Sequence, residues 1–359
     1  MPTYWVKNRG TENNLEGRFE KQTKEVFDDG WHKEDDDENL STLETTLFLD
    51  HTKSIISHND SPDIGFDQSI NPYKGCEHGC IYCYARPSHA YLNLSPGLDF
   101  ETKIFYKPNA AQLLEKEINH KNYLCKPIVI GANTDPYQPA ESKLKITRSL
   151  LEVADRYSHP VSIITKSSLI ERDIDLLESL AKRHLIRVAI TLTTLSVATK
   201  KILEPRASAP QGRLRAIKTL NSLNIPVLVM AAPMIPMVND MELEHILAAA
   251  KQAGANHAGY TLIRLPYEVK DLFREWLSKH YPERAAHVMS LIQQMRGGKD
   301  YDSTFGKRMR GEGEFAKFLA NRFRLACKKY AINTLPSQPL NTSLFRKNTK
   351  DNSQLSFDM

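Results

Sequence analysis

The chain has 359 residues, 41% of them hydrophobic, which is enough to bury one large core. It contains no run of the roughly 18 to 20 apolar residues that a membrane span needs, and its N-terminus lacks an apolar signal-peptide core. We therefore expect a cytoplasmic protein without a membrane partner. The net charge of +5 permits a nucleic-acid partner but does not require one.

The first part of the chain, residues 1–45, is polar and charged. It carries an acidic run at 34–38 and shows no sustained periodicity of either the helical or the strand kind. A segment of this composition has too little apolar surface to fold by itself. We predict a flexible polar extension.

Residues 46–265 alternate short apolar runs with segments that are long enough for helices. β-Branched and aromatic residues between 47 and 70 indicate one or two strands at the start. A βα repeat builds parallel strands with right-handed crossovers, and barrels of this kind carry their chemistry at the carboxyl ends of the strands. We predict an α/β fold with a partial (β/α)6 TIM-like barrel. The competing architecture is a doubly wound open sheet, although no GxGxxG follows the first strand. The later strands are predicted at 128–132, 161–165, 187–192, 227–232 and 258–263.

The C-terminal third reads as a helical appendage over residues 266–336, followed by a polar, disordered tail over 337–359. Helices are predicted at 268–279, 283–294 and 313–330. The apolar side chains of the last helix share one face, so we expect this helix to pack on the barrel. They are Phe315, Leu319, Phe323, Ala326 and Tyr330.

Three of the five cysteines, Cys76, Cys80 and Cys83, lie in one glycine-containing loop between residues 71 and 83. This spacing is unlike a disulfide framework and favours metal ligation in a reducing compartment. Three thiolates on a [4Fe–4S] cluster leave one iron open to an exogenous molecule. The alternative is a zinc site that His78 or a distant ligand completes.

The CxxxCxxC spacing, with the aromatic Tyr82 just before the last cysteine, resembles the signature of radical S-adenosylmethionine (SAM) enzymes. The resemblance implies that SAM chelates the open iron. It also implies that an electron donor such as a flavodoxin or ferredoxin reduces the cluster, which cleaves SAM to a 5′-deoxyadenosyl radical that abstracts hydrogen from a substrate.

Further segments resemble a bacterial radical SAM family grouped with spore photoproduct lyase-like proteins, over roughly residues 45–332. They are residues 131–141, the element 204–206, and Phe323 with Cys327. The thymine-dimer lyase of that group uses a cysteine just after the second barrel strand as a hydrogen donor. This chain has Asn133, Thr134 and Asp135 there, so thymine-dimer repair is not expected.

Polar residues at the predicted strand ends are the candidates for binding SAM or substrate. Asn133, Thr134 and Asp135 follow the second strand, where the superfamily typically contacts the SAM amino group. A turn at Asp135-Pro136 is the alternative. Lys166 ends the third strand and suits the SAM carboxylate, because a lysine there can donate a charge-assisted hydrogen bond.

The later strand ends add further candidates. Thr191 and Thr193 follow the fourth strand with their hydroxyls on one face, although both are also ordinary strand residues. Glu204 and Arg206 flank a proline that fixes their presentation, and the resemblance implies a ribose or carboxylate clamp. A surface ion pair is the alternative for these two residues.

The function that these observations predict is a radical SAM enzyme, lyase-like by resemblance, with nucleic acid as the leading substrate class. A basic stretch from residue 307 to 329 suits phosphate, although a solvated basic helix face is the favoured interpretation. Cys125 and Cys327 are expected to be structural. The competing hypothesis is a non-catalytic zinc-binding cysteine-loop module that docks nucleic acid or a protein partner.

Overall fold

The computed structural model describes residues 9–19 and 43–347. The strands are β1 (Thr46–Leu49), β2 (Ser57–His58), β3 (Gln68–Ile70), β4 (Tyr73–Lys74), β5 (Lys103–Tyr106), β6 (Ile128–Ile130), β7 (Val161–Thr165), β8 (Ile186–Thr191), β9 (Val227–Met234) and β10 (His257–Leu262). The α-helices are α1 (Leu98–Thr102), α2 (Ala110–Ile118), α3 (Glu141–Leu144), α4 (Ile146–Arg156), α5 (Ile174–Ala181), α6 (Val197–Leu203), α7 (Pro210–Ser222), α8 (Leu243–Gln252), α9 (Val269–His280), α10 (Ala285–Gln294) and α11 (Gly313–Lys329).

The main sheet has, within the described residues, the strand order β10-β9-β8-β7-β6-β3-β2. Every neighbouring pair from β3 to β10 is parallel, and β2 adds to β3 in the antiparallel direction. The predicted α/β fold with six parallel strands is therefore confirmed. The sheet is open between its first and last described strands, as a partial barrel is.

Alternation along the strands explains why the sheet binds its helices. In β7, Val161, Ile163 and Thr165 are buried while the residues between them are half-buried, so one face is sealed against the helix layer. Helix α4 contributes Leu150 and Leu151, both fully buried, to the same hydrophobic core as Val161 and Ile163. Burial of each leucine contributes about 1.5–3 kcal/mol relative to exposure, and a Leu150→Ala change would cost about 2–5 kcal/mol.

A second, three-stranded sheet has the order β1-β5-β4 in the described part of the chain. Strand β5 pairs with β1 in parallel and with β4 in the antiparallel direction. The cysteine loop begins where β4 ends, so this small sheet anchors the loop beside the mouth of the partial barrel. The sequence patterns indicated strands here but not this pairing.

The C-terminal helices pack on the barrel. Leu319 and Ala326 of α11 are buried, and the ring of Phe323 lies 4.8 Å, centroid to centroid, from that of Tyr260 in β10. This is the docking predicted from the apolar face of the helix. No helix within residues 9–19 or 43–347 is long and apolar enough to span a bilayer.

Residues 337–347 differ from the predicted disordered tail, because they run along the amino ends of the strands. The backbone N–H of Asn341 donates to the His184 carbonyl at 2.9 Å, and that of Arg346 donates to the Tyr157 carbonyl at 3.2 Å. Phe345 packs against His159 with ring centroids 5.2 Å apart. Residues 348–359 lie outside the described residues.

Residues 9–19 also differ from the predicted flexible extension. Arg9 and Thr11 are buried, with 8% and 4% of their surfaces exposed, because Glu101 binds both of them. Residues 1–8 and 20–42, with the acidic run at 34–38, lie outside the described residues. The division into domains stays a prediction.

Candidate active site

The cysteine loop runs from Gly75 to Cys83 at the carboxyl ends of the parallel strands. Gly75 and Gly79 have φ of +83° and +66°, a backbone conformation that residues with a side chain rarely adopt. Cys76 and Cys80 are each 7% exposed, Cys83 is half-buried, and all three thiols are free. Tight turns at the two glycines thus bring two buried thiols and one half-buried thiol into one loop.

The loop is held in place by residues around Glu77. The Glu77 backbone N–H donates to Gln138 Oε1 at 2.9 Å, and Gln138 Nε2 donates to the Gly75 carbonyl at 3.2 Å. The Glu77 carboxylate accepts from Ala140 N at 2.5 Å and from Arg206 Nη2 at 3.1 Å. Arg206 therefore supports the cysteine loop from outside.

The environment of the thiols suits metal-bound thiolates better than free ones. Burial raises the pKa of Cys76 far above its ordinary value, and the charges of Asp135 and of the other two thiolates raise it further. An iron that bonds each sulfur would supply the missing positive charge and displace the proton. In the part of the chain that the structure describes, no three His, Cys, Asp or Glu side chains are grouped to hold a single ion. A cubane cluster instead takes each thiolate on a different iron, and the three thiols of the loop fit that requirement.

The predicted residues after β6 have separate roles. The Asp135 carboxylate accepts from Thr165 Oγ1 at 2.6 Å and from Lys166 N at 2.7 Å, which ties the ends of β6 and β7 together. Burial alone would raise the pKa of Asp135, but His78, at 3.3 Å, and these hydrogen bonds lower it below its ordinary value. Thr134 Oγ1 donates to the Tyr73 carbonyl at 2.8 Å. Asn133 is exposed at this edge.

A network around the fully buried Glu204 lies on the other side of the loop. The Tyr82 hydroxyl and an Arg213 Nη2–H donate to its carboxylate, and the Thr193 hydroxyl lies 2.6 Å from Glu204 Oε1. Lys166 Nζ lies 3.6 Å from Glu204 Oε1. Burial alone would raise the pKa of Glu204, but the positive charges of Arg213 and Lys166 outweigh it and hold the carboxyl ionised.

The structure thus brings together four predicted residues, Tyr82, Lys166, Thr193 and Glu204. Glu204 and Arg206 do not form the alternative surface ion pair with each other, because Glu204 pairs with Arg213 while Arg206 pairs with Glu77. The clamp stays a prediction. Thr191 joins this network through its backbone carbonyl, which accepts a hydrogen bond from Arg213 Nη1 at 3.0 Å.

Two residues of this region were missed by the sequence reasoning, Gln138 and Arg213. Gln138 offers no sequence signal of its own. Arg213 does, because it lies at helical spacing from Ala216, Ile217 and Leu220 on the buried face of α7. An arginine within an apolar stripe of this kind needs a buried carboxylate partner.

Comparison with known proteins identifies the class to which this site belongs. The sequence model of the Radical SAM superfamily matches residues 70–250, half of the chain. The chain belongs to the radical SAM superfamily. The cofactors of this superfamily are a [4Fe–4S] cluster and SAM. A three-thiol loop like the one described above suits such a cluster, because three thiolates hold three of its irons and leave the fourth open for SAM.

Curated relatives of this radical SAM protein include an uncharacterized protein of Mycobacterium bovis. It is 31% identical over 230 residues, which cover 64% of this chain and 68% of the relative. An uncharacterized protein of Methanocaldococcus jannaschii is 30% identical over 215 residues, covering 60% and 76%. Spore photoproduct lyase complexed with dinucleoside spore photoproduct shares the fold, with a TM-score of 0.58 over 80% of this chain and 81% of the lyase chain, at 16% identity.

The two other cysteines of this radical SAM protein lie away from the loop. Cys125 precedes β6, at the amino ends of the strands. Cys327 of α11 lies 3.7 Å from Asn333 Nδ2, and the Asn333 side chain also bonds the backbone of Ala258 at the start of β10. Cys327 is buried and Cys125 is half-buried, and their structural role stays a prediction.

Much of the predicted basic stretch is neutralised by carboxylates of the same chain. Four of its cations form ion pairs: Lys307 with Glu312 at 2.7 Å, Arg308 with Asp63 at 2.7 Å, Lys317 with Glu314 at 2.9 Å, and Arg322 with both Glu244 at 2.6 Å and Asp240 at 3.5 Å. Paired charges contribute less to phosphate binding than free ones. The stretch therefore supports the interpretation as a solvated basic surface.

Proposed function

We propose that this protein is a radical SAM enzyme that holds a [4Fe–4S] cluster on Cys76, Cys80 and Cys83 and acts on nucleic acid. The observation that carries the proposal is the set of three free thiols, two of them buried and one half-buried, in one loop at the carboxyl ends of parallel strands. When bound, the cluster and SAM supply reductive cleavage to a 5′-deoxyadenosyl radical, which abstracts hydrogen from the substrate.

The neighbouring side chains supply the groups that SAM requires. Lys166, with 17% of its side chain exposed, offers an ammonium group for the SAM carboxylate, and the exposed Asn133 amide offers an acceptor for the SAM amino group. Tyr82 and Thr193 are fixed by Glu204 and form a polar wall beside Lys166. The remaining predicted contacts, Thr134, Asp135, Thr191, Glu204 and Arg206, act in this proposal by holding these groups in position.

The substrate class rests on the shared fold. Spore photoproduct lyase has been solved with a dinucleoside bound, and we extend nucleic acid as a substrate class to this chain. The product differs from that of the lyase, because no cysteine follows β6 to return a hydrogen atom. A flavodoxin or ferredoxin in the cytoplasm, a reducing compartment, would supply the electron.

The cluster assignment is tested on protein purified without oxygen. We expect a brown protein with about four irons per chain and a cluster spectrum that changes when SAM is added. Cys80→Ala should lose both the cluster and the formation of 5′-deoxyadenosine. Cys125→Ala, a cysteine outside the loop, should keep both. One tightly bound zinc without iron would contradict the proposal and favour the zinc-binding module. Full SAM cleavage by Cys80→Ala would contradict the assignment of Cys80 as a cluster ligand.

The substrate is tested by isotope transfer. The reduced enzyme is incubated with SAM and uniformly deuterated DNA or RNA oligonucleotides, and 5′-deoxyadenosine is analysed by mass spectrometry. We expect deuterium to appear in 5′-deoxyadenosine with one of the two polymers. SAM cleavage that continues without deuterium transfer from either polymer would refute nucleic acid as the substrate while leaving the radical SAM assignment intact.

A further inference from the structure

Residues 9–19, here called the N-terminal clasp, lie directly against the cysteine loop. Gly10 approaches Gly79 so closely that a Cβ on Gly10 would lie 1.7 Å from the Gly79 carbonyl oxygen. A Cβ on Gly97 would likewise lie 2.1 Å from the carbonyl oxygen of Asn13. Backbone therefore meets backbone at two points of the clasp, and a side chain at either point would push the clasp away.

A buried polar chain joins the clasp to a cluster ligand. The Glu101 carboxylate accepts from the backbone N–H groups of Gly10 at 2.8 Å and Thr11 at 3.1 Å. It also pairs with Arg86 at 2.5 Å, and Arg86 Nε donates to the carbonyl of Cys80 at 2.9 Å. Glu101 and Arg86 are both fully buried. The clasp backbone thus completes the hydrogen bonds of the carboxylate that fixes Arg86 against Cys80.

The far end of the clasp is anchored outside the loop. The Arg18 guanidinium carbon lies 3.7 Å from the centroid of the Tyr267 ring, and its Nε lies 2.7 Å from Glu268 Oε1. Phe19 packs on Tyr91 with ring centroids 5.2 Å apart. These contacts connect the cysteine loop, through the clasp, to the start of α9.

We propose that the N-terminal clasp retains the cluster by holding the cysteine loop closed against its surroundings. This inference rests on the proposed function, since it concerns the release of that cluster. A cysteine leaves its iron only if the loop moves and water reaches the bond. The clasp opposes both steps, because it packs on Gly79, between the first two ligands, and excludes water from the Arg86–Glu101 pair.

The test measures iron release from anaerobically reconstituted protein to a ferrous chelator, followed by absorbance. Gly10→Ala and Gly97→Ala should each release iron about tenfold faster than wild type, because both displace the clasp from different sides. Gly65→Ala is the matched control, since no heavy atom lies within 4 Å of its added Cβ and its φ is ordinary. It should release iron at the wild-type rate.

Arg18→Ala loosens the clasp far from the loop and should accelerate iron release about threefold. If circular dichroism shows that a glycine variant is unfolded, Arg18→Ala alone decides the test. Release at the wild-type rate by the folded clasp variants would overturn the proposal. So would acceleration by Gly10→Ala alone, which would indicate a local distortion of Gly79. A wild-type protein that binds no iron would instead refute the proposed function.

Discussion

At the scale of single residues, one buried electrostatic feature beside the cysteine loop is the ion pair between Glu204 and Arg213. Both side chains are almost fully buried, and Arg213 also donates to the carbonyls of Thr191 and Ser208. Removal of one partner takes the hydrogen-bonded counter-charge away from the other in a dry environment. The pair holds the Glu204 carboxylate in place, and the hydroxyl of Tyr82, the residue before Cys83, donates to that carboxylate.

We expect Arg213→Met to lower the free energy of unfolding by about 3 kcal/mol, because the buried Glu204 loses its hydrogen-bonded counter-charge and keeps only the more distant Lys166. Arg215→Met is the control, since Arg215 lies on the same helix but is 66% exposed and pairs with Glu171 at the surface. Its cost should be about 0–1 kcal/mol. The measurement is urea denaturation at pH 7. Equal losses in the two variants would contradict the assigned role of the pair.

His159 predicts how stability depends on pH. Burial lowers the pKa of His159 from 6.5 to about 4, although a hydrogen bond to the Pro160 carbonyl partly opposes the shift. The unfolded chain then binds more protons than the folded chain below pH 6.5. The stability from the neutral ring is therefore complete above pH 6.5 and falls as the pH drops toward 4.

Between pH 7.5 and pH 5, protonation of His159 on unfolding should lower the free energy of unfolding of the wild type by about 2 kcal/mol, at about 1.4 kcal/mol per pKa unit. His159→Gln lacks the titrating ring, so its stability should fall by about that much less over the same interval. Urea denaturation of both proteins at the two pH values gives the difference. Parallel losses in the two proteins would show that His159 does not titrate as its burial requires.

The cysteines were the residues that the sequence identified most directly, because the metal-ligating function of a thiol is visible in spacing alone. Partners of buried charges were harder to find. Glu101 and Arg86 are both fully buried, but nothing in their sequence neighbourhood shows that they meet. Such pairs depend on tertiary contacts between segments that no local pattern joins.

At the scale of elements, the turn after β6 positions Asn133 and Asp135. It begins at Gly131, whose φ is +92°. A Cβ there would lie 2.5 Å from Pro136 Cδ and 2.7 Å from the Ile164 carbonyl oxygen. The turn therefore requires glycine on grounds of both conformation and space.

Gly131→Ala should destabilise the fold by about 2 kcal/mol or more. The cost of the positive φ adds to the overlap of the new Cβ with Pro136 and with the Ile164 carbonyl. Gly212→Ala should stabilise it by about 0.5–1 kcal/mol, because Gly212 lies within α7 and the nearest atom to its added Cβ is 3.6 Å away. Thermal and urea denaturation measure both changes. The opposite order of stability would show that the geometry of this turn does not depend on glycine.

The strands and helices of the barrel were predictable because each buries one face with a regular period. The predicted strand at 161–165 coincides with β7, and that at 258–263 is shifted by one residue from β10. Residues 9–19 and 337–347 carry no such period, since they bind through backbone groups and isolated side chains such as Phe345. Their order comes from surfaces that exist only once the barrel has folded.

At the scale of the whole molecule, the cofactor and the fold should stabilise each other. A ligand that binds only the folded chain raises its stability by RT ln(1 + [L]/Kd), which is about 2.7 kcal/mol at a hundredfold excess over Kd. SAM is proposed to bind through one iron of the cluster and through Lys166, and neither site is assembled in an unfolded chain. The stabilisation by SAM should therefore require the cluster.

We expect the melting temperature of cluster-loaded protein to rise by a few degrees with saturating SAM, since about 1 kcal/mol corresponds to roughly 1–2 °C in a chain of 359 residues. Removal of the iron with a chelator should abolish most of this shift, and so should Cys80→Ala. 5′-Methylthioadenosine keeps the adenine and ribose but lacks the amino and carboxylate groups, so it should stabilise the loaded protein less. Differential scanning fluorimetry under anaerobic conditions provides the comparison. An equal shift with SAM in loaded and chelated protein would place its binding energy outside the cysteine loop and contradict chelation of the open iron.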